Sequence, residues 1–189
     1  CENRERQFVY LMVVEDQIQL MSQRIGGQRF EALLSRLDDC GSAGDARRLL
    51  RSSEFFRGLV ERQIEWLETE AHFKVRTIDY ITAAHERSAV TLLPTEATLT
   101  SSLRVLRQRA MLHILWRSFT QRATGLDETL VAMSDLADFV IREAVQFAET
   151  QVGARFGEPI GEESQTRQHL IVVGMGKLGG RELNLSSDI

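Results

Sequence analysis

The sequence predicts a mainly α-helical protein with an α+β end. Only two prolines occur in its 189 residues, so long helices are not interrupted. Apolar side chains recur at helical spacing over most of the chain. The period changes near the carboxyl end, where the run Leu170–Val173 predicts a buried strand. We therefore expect a helical region over residues 1–123 and the beginning of a second domain over residues 124–189.

The helical region is predicted to contain several helices in succession. Gly26 and Gly27 end the first helix because glycine favours helix termination. The pair Ser52–Ser53 can cap the start of a longer helical stretch. The predicted helices cover residues 5–24, 30–37, 52–78 and 95–123, with a loop over 40–45.

A further helix is predicted to open the second domain. Thr124 is followed three residues later by Asp127, a spacing typical of a helix-capping sequence. Apolar residues then alternate at intervals of four and three, which predicts a helix facing the core. This stripe consists of Leu126, Leu130, Met133, Ala137, Val140, Ala144 and Phe147. Residues 153–167, which include Pro159, are predicted to form a polar loop.

Composition limits the classes of partner and compartment. The net charge of −4 gives no support for nucleic acid as the main partner, since such proteins present a basic face. No apolar run approaches the roughly 20 residues that span a bilayer, so we expect no membrane association. Cys1 and Cys40 form no disulfide framework, which fits a reducing cytoplasm. The histidines show no paired ligand spacing.

A glycine cluster follows the predicted strand. Glycines 174, 176, 179 and 180 precede Asn184 and Asp188. Strand, glycine turn and carboxylate together favour a phosphate held beside a metal ion. The pattern also matches the G-x-G-x-x-G fingerprint of dinucleotide-binding proteins. A P-loop is excluded, because Arg181 and Glu182 stand where that motif needs a lysine and a hydroxyl. An ordinary turn with a capping Asp remains the simplest alternative.

The whole of residues 174–189 resembles the signature of the glutamine synthetase adenylyltransferase and adenylyl-removing family. This resemblance implies an incomplete polymerase-β-like nucleotidyltransferase domain. Asp188 would be a catalytic residue and the first of two aspartates that ligate Mg²⁺; family members usually carry the second directly after the Asp-Ile pair. Other residues of this signature resemble the amino-terminal, adenylyl-removing half of the family's enzymes more than the carboxy-terminal half. The remaining phosphate- or nucleotide-binding candidates are Lys177, Gly179, Gly180, Ser186 and Ser187.

The resemblance also implies an activity and partners. The full-length enzyme would remove AMP from a tyrosine of glutamine synthetase, and would also add it, using two Mg²⁺ ions and ATP or ADP. Glutamine synthetase and a PII signalling protein would be its partners in regulating nitrogen metabolism. We expect this chain to be a fragment that is inactive alone. Arg104, Arg107 and Arg109 could face a phosphate or glutamine synthetase, or form a solvated surface.

Two other functions stay open at this stage. One is a non-catalytic helical interaction module that carries a degenerate nucleotide-binding turn. The other is a Rossmann-type dinucleotide binder, which a long helix after Gly179 would favour. An acidic residue after Ile189 would favour catalysis.

Overall fold

The computed structural model describes residues 2–69, 73, 79–81, 83, 95–120 and 125–186, with side chains from residue 13 onward. Its helices are α1 (Glu2–Ile25), α2 (Gly27–Asp39), α3 (Asp45–Ser52), α4 (Glu54–Arg62), α5 (Ile64–Thr69), α6 (Glu96–Phe119), α7 (Leu126–Phe156) and α8 (Gly176–Gly179). Among these residues, no helix has both the length and the apolar character needed to cross a membrane. The predicted mainly α-helical class is confirmed.

Two compact units divide the chain: residues 1–80 with 108–124, and residues 81–107 with 125–189. The division assigns the first part of α6 to the second unit. The predicted domains, 1–123 and 124–189, are drawn along the sequence alone and stay a prediction.

The first unit contains α1 to α5 and the second part of α6. Gly26, at φ 94°, separates α1 from α2 as expected, because this conformation suits glycine. The Ser53 hydroxyl accepts a hydrogen bond from the Phe56 amide at 3.1 Å and so caps α4. The prediction of one long helix from this point is wrong, because the chain breaks at Gln63 (φ −119°, ψ 24°). The Gln63 side-chain amide donates a hydrogen bond to Gln108 Oε1 at 2.7 Å.

An aromatic cluster forms the centre of this unit. Trp116 is fully buried and lies 6.5 Å from the ring of Phe56 and 5.6 Å from that of Phe73. His113 is also fully buried and stacks on Tyr80 at 5.5 Å. Rings at these separations contribute beyond the area that they bury. His113 is thus a core residue.

Helix α7 dominates the second unit, but only its first half is buried. Met133 and Ala137 of the predicted stripe are fully buried, whereas Leu126 is 71% exposed. The stripe members beyond residue 137 are half-buried or exposed. The predicted continuous core stripe is therefore wrong outside its centre. At the amino end, Gly125 occupies the N-cap position without a side-chain bond, and Thr124 of the predicted cap lies outside the described residues.

The carboxyl end differs most from the prediction. Helix α7 extends to Phe156 and ends at Gly157, whose φ is 87°, so the predicted loop begins later. Residues 170–173 belong to no strand, and their exposed fractions range from 52% to 82%. The predicted buried strand, and with it the α+β end, is not found in the part of the chain that the structure describes. A strand needs a neighbour to bind its backbone N–H and C=O groups, and no described segment supplies one.

Candidate functional site

The glycine-rich segment, residues 170–183, lies along α7 and runs antiparallel to it. At one end, the Leu170 amide donates a hydrogen bond to Glu149 Oε1 at 2.5 Å. At the other end, the Leu183 amide donates to Ser134 Oγ at 3.2 Å. Residues later in the segment thus bind residues earlier in the helix. Helix α7 is the scaffold that holds this segment.

A charged contact lies next to the second anchor. The Arg181 guanidinium hydrogen-bonds Asp135 and lies 3.8 Å from Asp138 Oδ2. Arg181 adopts φ 57°, a left-handed conformation that is uncommon for a residue with a Cβ. Such a conformation persists where the surrounding contacts hold it. Its two carboxylate neighbours on α7 supply those contacts.

The glycines shape a tight turn around α8. Gly176 has φ 56°, a conformation that glycine adopts without strain. A Cβ atom on Gly179 would lie 2.5 Å from the Gly174 carbonyl oxygen, so only glycine fits there. The Gly180 amide donates to the Gly176 carbonyl at 2.9 Å, and the Glu182 amide donates to the Lys177 carbonyl at 2.7 Å. The left-handed conformation of Gly176 and the close packing of backbone on backbone at Gly179 therefore account for two of the glycines.

An open groove of about 330 Å³ lies between α7 and the segment. Helix α7 contributes both charged and apolar side chains to it, and the segment contributes mainly apolar ones and backbone. The charged lining residues include Asp138, Arg142 and Glu149. This mixture of charges offers no concentrated positive potential for a phosphate.

Glu149 is the electrostatic anchor at the start of the segment. The hydrogen bond from the Leu170 amide, followed by the contact with His169, lowers the pKa of the Glu149 carboxyl below its usual value. The His169 Nδ1 atom lies 3.1 Å from Glu149 Oε2. Hydrogen bonds to a carboxylate favour its charged form. Glu149 is therefore ionised wherever the anchor is formed at neutral pH.

The predicted site residues are only partly within the described structure. Lys177 and Gly179 lie in α8, with Gly180 directly after it. The Ser186 hydroxyl donates to Asn184 Oδ1 at 3.0 Å. Ser187 and Asp188 lie outside the described residues.

Two observations bear on the predicted ligands. The Gly180 amide is already engaged in closing the turn, and phosphate binding by these glycines stays a prediction. Within the described ranges, no group of three or more His, Cys, Asp or Glu residues is placed to hold a metal ion. A carboxylate such as Asp188 has the hard oxygen that Mg²⁺ prefers, but a single carboxylate does not define a site.

The arginines of α6 have different environments. The Arg109 guanidinium lies 5.3 Å from the centre of the Trp66 ring and donates to Gln63 Oε1 at 3.0 Å. These contacts place Arg109 in the packing of the first unit, where a cation over an aromatic face is favourable. Arg104 is exposed and Arg107 is half-buried. The three arginines thus differ in exposure and in the contacts described for them.

Sequence reasoning did not identify the residues of α7 that hold the segment. These residues are Ser134, Asp135, Asp138 and Glu149. A signal was available, because the three acids are spaced to lie on one side of a helix. Their partners could not be inferred without the path of the later segment.

The structure does not support the Rossmann interpretation. Helix α8 is only four residues long, and residues 180–186 are turns and irregular structure. A dinucleotide-binding unit would continue into a long helix after its glycines. The glycines instead enter a compact turn.

Comparison with a family model and comparison with individual proteins both match this chain to adenylyltransferases. The sequence model of a family described as glutamate-ammonia ligase adenylyltransferase matches residues 43–189. The chain is similar to the bifunctional glutamine synthetase adenylyltransferase/adenylyl-removing enzyme of Thioalkalivibrio sulfidiphilus, with 48% identity over 107 residues, which is 57% of this chain and 11% of that protein. The enzyme of the same description from Pseudomonas putida is 50% identical over 94 residues, or 50% of this chain and 10% of that protein. The chain spans about a tenth of these curated relatives.

Proposed function

Because the chain belongs to the glutamate-ammonia ligase adenylyltransferase family, we propose that it is part of a nucleotidyltransferase acting on glutamine synthetase. The enzyme removes AMP from a tyrosine of glutamine synthetase and, in its full-length form, also adds it. The observation that carries this proposal is the uninterrupted signature over residues 174–189, which lies inside the matched range. The contacts of this signature with α7 add structural support, since a catalytic segment must be held in place.

The proposed reaction is phosphate-dependent removal of AMP. An oxygen of inorganic phosphate attacks the phosphorus of the AMP group, the bond from phosphorus to the tyrosine oxygen breaks, and ADP and the tyrosine hydroxyl result. Positioning and charge neutralisation dominate catalysis of this kind. Mg²⁺, ligated by Asp188 and by a second carboxylate of the full-length protein, would neutralise phosphate charge. Lys177, Gly179, Gly180, Ser186 and Ser187 are the proposed phosphate- or nucleotide-binding residues.

The proposed partners follow from the same family membership. Relatives are named for their action on glutamine synthetase, and we extend that substrate to this chain. The net charge of −4 gives no support for nucleic acid as the main partner. Control by a PII signalling protein and a cytoplasmic location complete the proposal.

Replacement of Asp188 tests the catalytic role directly. In the full-length protein, Asp188→Asn removes a negative charge while nearly preserving shape. We expect phosphate-dependent ADP release from adenylylated glutamine synthetase to fall on the order of a thousandfold, because a misplaced metal costs several kcal/mol of transition-state stabilisation. The melting temperature should be retained. The 189-residue chain alone should release no ADP.

The matched control is Glu163→Gln, the same change of carboxylate to amide at an exposed residue of the loop after α7. It should leave turnover and melting unchanged. Near-wild-type activity in Asp188→Asn would refute the catalytic role and favour a non-catalytic interaction module. Loss of activity with a collapsed melt would instead assign Asp188 to structure.

A further inference from the structure

We propose that Ser134, Asp135 and Arg181 form a clamp that positions the end of the signature for nucleotidyl transfer. The clamp consists of the hydrogen bond from Leu183 to Ser134 and the ion pair between Arg181 and Asp135. The three residues act through the backbone that leads to Asp188 and are positioning residues. This inference rests on the proposed function and adds to it three residues, two of them outside the signature.

The Ser134 side chain is the buried part of the clamp. Ser134 is fully buried, and its hydroxyl donates to the Leu130 carbonyl at 2.9 Å. This bond within the helix leaves an oxygen lone pair to accept the Leu183 amide, at 3.2 Å. Leu183 is itself 8% exposed, so water competes little for the bond. The backbone of residue 183 is therefore fixed to α7.

The Arg181 side chain is the charged part of the clamp. It reaches Asp135 and Asp138, one turn apart on α7. A planar guanidinium with two carboxylate neighbours fixes orientation as well as distance. It also holds Arg181 in its left-handed conformation (φ 57°), which turns the chain from the glycines toward Leu183. The two contacts thus set both the place and the direction of the backbone.

The location of the clamp favours a role in positioning. Residues 170–176, which precede the clamp in sequence, are all exposed. The hydrogen bond described between these residues and α7 is the one from Leu170 to Glu149. The clamp instead holds residues 181 and 183. Residue 183 lies immediately before Asn184 and five residues before Asp188 in the sequence. A direct role of Arg181 in binding phosphate is disfavoured because its guanidinium already faces two carboxylates. Even a small displacement of a catalytic group lowers the reaction rate strongly, by about a hundredfold for 1 Å.

The test uses the full-length protein with the variants Arg181→Gln, Asp135→Asn and Ser134→Ala. Each should lower kcat for ADP release about ten- to a hundredfold while KM for adenylylated glutamine synthetase stays within about twofold, because ground-state binding is not changed. Arg181→Gln combined with Asp135→Asn should be no slower than either alone, since the two residues share one interaction. Arg181→Lys should recover part of the rate, because it retains the charge but loses the planar fork.

Hydrogen exchange supplies a readout that does not depend on activity. The Leu183 amide should exchange faster in all three variants while the global melting temperature stays at the wild-type value. The matched control is Arg167→Gln, which breaks the exposed ion pair with Glu158 in the same unit (2.9 Å). It should change neither kcat nor the exchange of the Leu183 amide.

The outcomes separate this inference from the proposed function. An active wild-type enzyme whose three variants keep wild-type kcat would overturn the clamp alone. A raised KM for phosphate in Arg181→Gln without any effect of Asp135→Asn would also overturn it, in favour of direct ligand contact. A wild-type enzyme that releases no ADP would overturn the proposed function and the positioning role together.

Discussion

Gly179→Ala is the substitution whose effect the structure defines most closely. The added Cβ would lie 2.5 Å from the Gly174 carbonyl oxygen and 3.0 Å from its carbon. Both are backbone atoms, so no side chain can rotate away. The turn must open or shift to admit a single methyl group. The conflict arises from close approach of two chain segments and not from the φ angle of Gly179.

The expected magnitude is a balance of two opposing effects. Overpacking against a fixed neighbour typically costs about 1–3 kcal/mol. Replacing glycine by alanine otherwise stabilises by about 0.4–1 kcal/mol, because the unfolded chain loses freedom. We therefore expect Gly179→Ala to weaken the turn by about 1–2 kcal/mol, which raises its opening about five- to thirtyfold. In Gly180→Ala, the nearest atom to the Cβ is 3.5 Å away, so this control should be neutral or slightly stabilising.

The assay is amide hydrogen exchange at Glu182, whose N–H closes the turn onto the Lys177 carbonyl at 2.7 Å. Exchange of a locally opened amide reports the opening equilibrium. Gly179→Ala should accelerate exchange at this amide, and Gly180→Ala should not. Equal exchange rates in the two variants would refute the steric account of Gly179.

Two further predictions concern the anchor of the segment and the helical core. Because the pKa of Glu149 is lowered in the folded state, its anchor contributes stability above the unfolded-state pKa of about 4.3 and loses it as pH falls through the folded-state pKa. The Leu170 amide should therefore lose protection from hydrogen exchange over that acidic range. The control, Glu149→Gln, should show no such pH dependence. Trp116→Ala should destabilise the first unit by about 3–5 kcal/mol, since the side chain is fully buried against Phe56 and Phe73; the measurement is urea unfolding, with Trp116→Phe as the milder control, and a loss below about 1 kcal/mol would contradict the central role of the cluster.

The helices were predictable because their signals are local. Gly26 and Ser53 mark helix boundaries through their own backbone and side-chain chemistry, which a sequence displays directly. The break at Gln63 was not predictable in this way. It depends on hydrogen bonds to Gln108 and Arg109 of α6, more than forty residues away in sequence. Tertiary contacts overrode the local helical preference.

The carboxyl end shows a similar limit for strands. The run Leu170–Val173 has the composition of a buried strand, but pairing depends on a second segment that composition does not specify. A candidate site could be proposed from the sequence only where a motif is contiguous, as in residues 174–189, and its binding residues stay a prediction. The supporting residues on α7 were missed because Ser134 and Asp135 gain their meaning from Leu183 and Arg181, which lie far along the chain.

The exposed residues 170–173 also have a consequence for handling the protein. They expose large apolar side chains, with Ile171 at 82% and Val173 at 73%, on a backbone that is not paired with a strand in the described structure. Segments of this kind are templates for intermolecular β-pairing and aggregation. Solubility of any expressed piece ending near this point therefore depends on shielding these residues. A charged substitution at Ile171, whose side chain is the most exposed of the four, is the simplest gatekeeper.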